Sequence, residues 1–149
     1  MIRPAHTDEA AWARGLVRAA YQHYVPRMGR EPSPMQADYA ALIAAQEVHV
    51  LVEGGERVGL IVLRRDRDAL FVENVAIDPG RRQRGHGYAL MAFAEGEARR
   101  LGHGKISLYT HETMTENLRF YARLGFREVG RQEQDGFRRV FLEKHLDTA

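Results

Sequence analysis

The chain has 149 residues, 44% hydrophobic and 28% charged, a balance that excludes a disordered segment and predicts one domain, residues 1–149, around one sizeable core. Lys+Arg 22 against Asp+Glu 20 gives a formal net charge of +2, so the chain as a whole is no polycation built for a polyanion. Cysteine is absent, which excludes a disulfide framework, a zinc–thiolate centre and a thiol nucleophile.

Met1-Ile2-Arg3-Pro4 runs directly into Asp8, Glu9 and Arg14, without the apolar stretch of a secretory leader. The longest apolar run, around Leu60–Leu63, is too short to span a bilayer. These features predict a cytoplasmic protein with no membrane partner. Thr7-Asp8-Glu9-Ala10 reads as a helix start with Thr7 as its cap, continued by Trp12, Leu16, Ala19, Ala20 and Tyr24 at helical spacing. Pro26, Gly29, Pro32 and Pro34 predict a loop over 25–34. Met35, Tyr39, Leu42 and Ile43 share one face of a second, short helix. Three strands follow: 47–53, 57–65 and 69–77. Gly54-Gly55 and Asp66-Arg67-Asp68 are the turns between them, so the three form an antiparallel meander. Tyr88, Met91, Ala92, Glu95 and Ala98 then mark a helix from Gly85 to about Leu101, ended by Gly102. Ile106–Thr110 is a strand reached by that helical crossover and hence parallel to the strand ending at Ile77. Leu118, Tyr121 and Leu124 lie on a last helix, and 126–130 with 137–143 close as a hairpin. The expected fold is α+β: a mixed, mostly antiparallel central sheet flanked by about four helices, three layers in all.

The segment with the most chemical content is Val75-Ala76-Ile77-Asp78-Pro79-Gly80-Arg81-Arg82-Gln83-Arg84-Gly85-His86-Gly87-Tyr88. A strand ends, an Arg- and Gly-rich loop follows, and a helix begins. That arrangement offers free backbone N–H groups and the positive end of a helix dipole to an anion. Gly85 and Gly87 let phosphate oxygens approach the backbone, and Arg82 and Arg84 add charge. An ordinary turn carrying surface arginines is the alternative. A Walker loop is excluded, because Gly104-Lys105 is followed by Ile106. A Rossmann fingerprint is excluded, because Leu90 stands at its third glycine position. Neither ATP nor NAD is indicated.

Arg82-Gln83-Arg84-Gly85-His86-Gly87 resembles the acyl-CoA-binding signature of the GNAT superfamily of N-acetyltransferases. It follows a strand written Asn74-Val75-Ala76-Ile77-Asp78-Pro79. Asn117-Leu118-Arg119-Phe120-Tyr121-Ala122-Arg123-Leu124-Gly125-Phe126 is similar to the family's helix carrying Phe-Tyr and Leu-Gly-Phe. The order of elements agrees along essentially the whole chain. The resemblance implies acetyl-CoA as co-substrate, with the amides of Arg84, Gly85, His86 and Gly87, together with Tyr88, holding its pyrophosphate. It implies that the backbone around Val75, Ala76 and Ile77 pairs with the pantetheine as an added strand. It also implies Tyr121 as the acid that protonates the leaving thiolate. Many members have Asn where this chain has Met114, and Asn117, one turn before Tyr121, is the candidate replacement. Dimers are common in the family.

An attacking amine must lose a proton, so a carboxylate or histidine is wanted near the acetyl group. Glu73 lies two residues before Val75, which strict alternation puts on the same strand face as Val75 and Ile77. In polyamine-type relatives a glutamate stands at that place. A solvated strand residue is the alternative, and His111 and Tyr109 on the next strand are further candidates. His6, His23, His49, His103 and His145 show no metal-ligand spacing, so no metal is expected. Tyr24, Arg27 and Arg30 fall in the segment that covers the acceptor in the resembled family and suit an anionic acceptor, with a solvated connection stiffened by prolines as the alternative. The leading expectation is acetyl-CoA-dependent transfer to an amine of a small molecule or protein. A non-catalytic acyl-CoA-binding sensor is the alternative. Nucleic-acid binding through Arg64, Arg65, Arg67 and Arg81 to Arg84 is disfavoured, since Asp66, Asp68 and Asp78 interrupt the charge.

Overall fold

Alternating Val, Ile, Leu and Phe positions become seven strands in the computed structural model, which describes residues 1–146. These are β1 (Ile2–Pro4), β2 (Val48–Glu53), β3 (Glu56–Asp66), β4 (Ala69–Ile77), β5 (Lys105–His111), β6 (Arg127–Gln134) and β7 (Phe137–His145). They form one sheet in the order β1-β2-β3-β4-β5-β7-β6. The pairs β1–β2, β2–β3, β5–β7 and β6–β7 are antiparallel. β4 and β5 run parallel, Ala69 opposite Lys105 through Val72 opposite Leu108, as the helical crossover between them requires. The helices are α1 (Ala10–Tyr21), α2 (Val25–Met28), α3 (Tyr39–Ala44), α4 (His86–Arg100) and α5 (Thr115–Arg123). The α+β architecture with a mixed, mostly antiparallel sheet is the one the sequence predicts.

Three local expectations are corrected. β1 was not expected: three residues carry no readable period, and the strand exists because Ile2 and Pro4 pair with Leu51 and His49. Thr7 caps no helix. It lies in a 3-10 turn, Thr7–Glu9, and α1 starts at Ala10. The acid that organises this corner is buried Glu9, which accepts from Arg3 at 2.8 and 2.9 Å, Arg57 at 3.1 Å and the His6 N–H at 2.7 Å. Arg3's guanidinium, against the opposing cost of burial, holds the Glu9 carboxyl at about 2. The predicted loop over 25–34 contains α2 instead, because Pro26 in a first turn starts a helix rather than breaking one. Gly29, at φ 75°, ends it, and Ser33–Gln36 adds a 3-10 turn.

The chain folds as two compact units, Met1–Arg64 with Glu73–Phe93, and Arg65–Val72 with the chain from Ala94 onward. In the first, Leu16 and Val17 of α1, Tyr39 and Ile43 of α3, and Val48, Val50, Leu60 and Val62 of the sheet are buried. α4 lies on the other face, where Phe93 packs at a tilt against His49 with ring centroids 4.8 Å apart. In the second, Ile106, Leu108, Val140 and Leu142 form a buried sheet face, and Tyr121 and Phe126 are also buried.

β4 departs from strict alternation. β3 enters it through the turn Arg67–Asp68, with Arg67 at φ 56°. At the far end the Asp78 N–H donates to the Val58 carbonyl at 2.9 Å. From the turn to that bond β4 takes one residue more than β3, which is a β-bulge. Its place follows from the side chains. Asn74 contacts Tyr21 of α1 and Tyr39 of α3, while Glu73 pairs with Arg64, which shares a face with Val62. Ile77 instead sits against Gly59 and the α4 side. A Cβ on Gly59 would come within 2.9 Å of the Ile77 Cδ1 and 3.5 Å of Leu90. The bulge therefore turns Glu73 away from Val75 and Ile77 and toward the side of α1 and α3.

Candidate active site

The eight-residue loop 78–85 joins β4 to α4. Asp78 starts it by accepting the Gly80 N–H at 3.0 Å. Gln83 and Gly85 adopt φ of 64° and 80°, and Arg84 between them stays negative. That alternation makes successive N–H groups converge into an anion nest. It is continuous with the N-terminus of α4 at His86, whose first amides have no partner within the helix. Gln83, Arg84, Gly85 and Tyr88 are exposed, and Gly87 is half-buried. Two side chains differ from the sequence picture. Arg82 donates from Nη2 to the Ala20 carbonyl at 2.8 Å, tying the loop to the end of α1. His86 turns inward, with its Nδ1 3.5 Å from the Glu53 carboxylate. Arg81 pairs with Glu56 and Arg64 with Glu73, so these arginines are neutralised locally.

Beside the loop, β4 carries a buried polar relay that sequence reasoning missed. The Tyr21 hydroxyl lies 2.7 Å from Asn74 Oδ1 and 3.1 Å from the Val75 carbonyl. The Asn74 Nδ2 donates to the Tyr39 hydroxyl at 3.1 Å, which donates to the Pro34 carbonyl at 2.6 Å. Burial raises the Tyr39 phenol well above its ordinary value, against the Asn74 hydrogen bond and reinforced by the charge of Glu73. The relay thus pins both α1 and the proline-rich segment to the strand. The only hint in the sequence was a lone Asn inside an apolar strand. Glu73 gives one oxygen to Arg64 at 2.9 Å, and its Oε2 is buried with no hydrogen-bond partner. Burial, with Glu73 adding to it and Arg64 opposing, raises the nearby Glu47 carboxyl. In the same unit Tyr24 is buried, and the Arg27 guanidinium lies 5.2 Å over its ring. Arg30 is exposed.

In the second unit, Tyr121 is buried on α5 between Phe120 and Phe126, at 5.1 and 5.5 Å between ring centroids. Asn117, one turn earlier, sends its Nδ2 to the sulfur of Met114 at 3.6 Å. Met114 is itself buried and takes the Thr110 hydroxyl at 3.4 Å. Tyr109 and His111 occupy the half-buried face of β5. His111 accepts the Thr113 N–H at Nδ1. Burial holds its pKa below 6.5, with Glu112 opposing and Arg138 assisting. Among the described residues no cluster of His, Asp and Glu has metal-holding geometry, and no helix is long and apolar enough to cross a membrane.

The acetyltransferase (GNAT) family model matches residues 17–126, most of the chain, and the chain belongs to that family. Among solved structures, the fold is similar to the PaiA N-acetyltransferase of Thermoplasma acidophilum in complex with coenzyme A (TM-score 0.83, 16% identity, 98% of each chain covered). It is also similar to the ribosomal-protein-S18-alanine N-acetyltransferase of Escherichia coli (TM-score 0.75, 17% identity, 100% of this chain and 95% of that one). A third is Ard1 of Thermoplasma volcanium (TM-score 0.77, 18% identity, 98% and 97%). No curated protein matches the chain at significant similarity.

Proposed function

We propose that this protein is an acetyl-CoA-dependent N-acetyltransferase that acts on a primary amine of a small molecule or protein. The observation that supports this reading most is the family match spanning 17–126, which takes in both the nest and Tyr121. It also runs through both compact units, which argues for one functional domain. The amides of residues 84–87, with Arg82, Gln83 and Tyr88, hold the pyrophosphate, and the strand backbone of Val75, Ala76 and Ile77 lies along the pantetheine. Glu73 takes a proton from the acceptor ammonium, directly or through water, so that the amine nitrogen can attack the thioester carbonyl. As the carbon–sulfur bond breaks, Tyr121 gives its phenolic proton to the departing thiolate, and the second proton that the attacking nitrogen sheds as the amide forms restores the phenol. A phenol of pKa near 10 can do so while staying protonated at neutral pH. Asn117 steadies the same face of α5. Glu73 Oε2 is buried and accepts no hydrogen bond among the described residues, and Arg64 engages only the other oxygen, which supports the role by leaving one carboxylate oxygen uncommitted.

The direct test is release of coenzyme A thiol from acetyl-CoA across a panel of amino acids, polyamines, aminoglycosides and peptide N-termini. Release that depends on one acceptor class supports the reading. Tight coenzyme A binding without release by any acceptor identifies a sensor of acyl-CoA instead.

A further inference from the structure

The half-buried face of β5 and β7 carries a row of aromatic rings and one arginine, Arg139, that no acid among the described residues answers. Phe71 of β4 meets Tyr109 at 5.6 Å between centroids, and Tyr109 meets Phe141 at 5.8 Å. Cross-strand pairing places Tyr109 opposite Phe141 and His111 opposite Arg139, so these side chains share one face. The Arg139 guanidinium lies 4.1 Å over the Tyr109 ring and 5.4 Å from Phe137. Its Nη1 donates to the neutral Gln134 Oε1 at 2.9 Å.

Other half-buried arginines in the described chain are matched by carboxylates, Arg3 by Glu9 and Arg81 by Glu56. Neighbours of Arg139 are matched too: Arg138 takes Glu112, and Arg131 takes Glu128 and Glu112. Arg139 has no carboxylate partner among the described residues. A half-buried guanidinium 4.1 Å over a ring and without a carboxylate among the described residues keeps donors ready for a planar anion. Glu73 stands two residues after Phe71 on β4, so the aromatic row begins on the strand that carries the candidate base.

We infer that Arg139, bedded on Tyr109 and Phe137, is a specificity-determining residue that receives a carboxylate on the acceptor. The acceptor class is therefore an amine that also bears a carboxylate, with a flat or apolar body lying on Phe71, Tyr109 and Phe141. This rests on the acetyltransferase reading above and narrows its acceptor. A polyamine, with no anion to offer, would leave Arg139 unanswered.

The test compares binding of acid and carboxamide forms of N-acetyl-phenylalanine and N-acetyl-methionine, by calorimetry, to the protein saturated with coenzyme A. At least one acid is expected to bind tenfold or more tighter than its amide, the size of a lost charge-assisted hydrogen bond. Arg139→Gln should erase that preference and leave amide binding unchanged, and Arg139→Lys should restore part of it. Should Arg139→Gln fail to fold, the loss of preference is read in Arg139→Lys as a reduced acid-to-amide ratio. Acid and amide binding alike in the wild-type protein, or a preference that survives both variants, overturns the inference. If coenzyme A itself does not bind, the acetyltransferase reading falls, and the same acid–amide comparison on the free protein still decides the role of Arg139.

Discussion

The loop between β4 and α4 and the face of β5 and β7 offer a ligand opposite kinds of chemistry. In the loop, the groups presented are backbone amides, aligned by alternating φ at Gln83, Arg84 and Gly85 and by the start of α4. On the sheet face they are side chains: Tyr109, Phe141, His111 and Arg139, brought together by register from strands far apart in sequence. Backbone recognition suits a co-substrate that never changes, since it needs small residues rather than particular ones. Side-chain recognition suits an acceptor that differs from one relative to the next. The comparison teaches that substitutions in the loop should act on coenzyme A alone, and those near Glu73 and Arg139 on the acceptor and the chemistry.

That separation can be broken by experiment. The largest effect is expected at the reacting groups. Glu73→Gln should lower turnover by roughly 10²-fold or more, and Tyr121→Phe by about 10²-fold, with coenzyme A affinity nearly intact in both. A loss of coenzyme A affinity in either would merge the two regions, and wild-type turnover would remove the residue from the mechanism. Gly85→Val comes next. The space around Gly85 is open, so its cost is backbone strain at φ 80°, and coenzyme A affinity should fall about tenfold or more. Acceptor KM measured at saturating acetyl-CoA should not move.

Asn74→Leu sharpens the comparison from the other side. It removes the two bonds from Asn74 to the Tyr21 and Tyr39 hydroxyls, leaving Tyr21 on the Val75 carbonyl and Tyr39 on the Pro34 carbonyl but untying both from the Asn74 side chain, so stability should drop by about 1–3 kcal/mol in urea unfolding. Acceptor KM should rise while coenzyme A binding holds. The smallest effect is expected at Glu9, remote from both regions. Its carboxyl is depressed to about 2 in the folded chain from an ordinary 4.5, so the stability it adds is complete above about pH 4.5 and lost as pH falls toward 2. Urea midpoints measured from pH 5 to pH 2 should fall, and Glu9→Gln should flatten that slope.

Much of the loop was legible in the sequence, because glycines and a strand-to-helix change of period announce backbone geometry directly. The parallel pairing of β4 with β5 was legible for the same kind of reason: a helical crossover leaves one handed route. The bulge at Glu73 and Asn74 was not. An extra residue in a strand leaves no mark in an alternating pattern, and only the partners of Asn74 reveal it. The Tyr21–Asn74–Tyr39 relay was equally hidden, since its members are separated by α1, the proline-rich segment and two strands. By residue type Arg139 is one more charge in an arginine-rich hairpin. Its importance lies in what its neighbours have and it lacks, which depends on register and packing rather than on residue type.

The most direct measurement is calorimetric titration of coenzyme A into the wild-type protein and into folded Gly87→Asp. A carboxylate at the first turn of α4 repels phosphate and fills the approach that glycine leaves open. The account predicts saturable binding to the wild-type protein and none to the variant. Equal binding by both, or no binding by the wild-type protein, would contradict it.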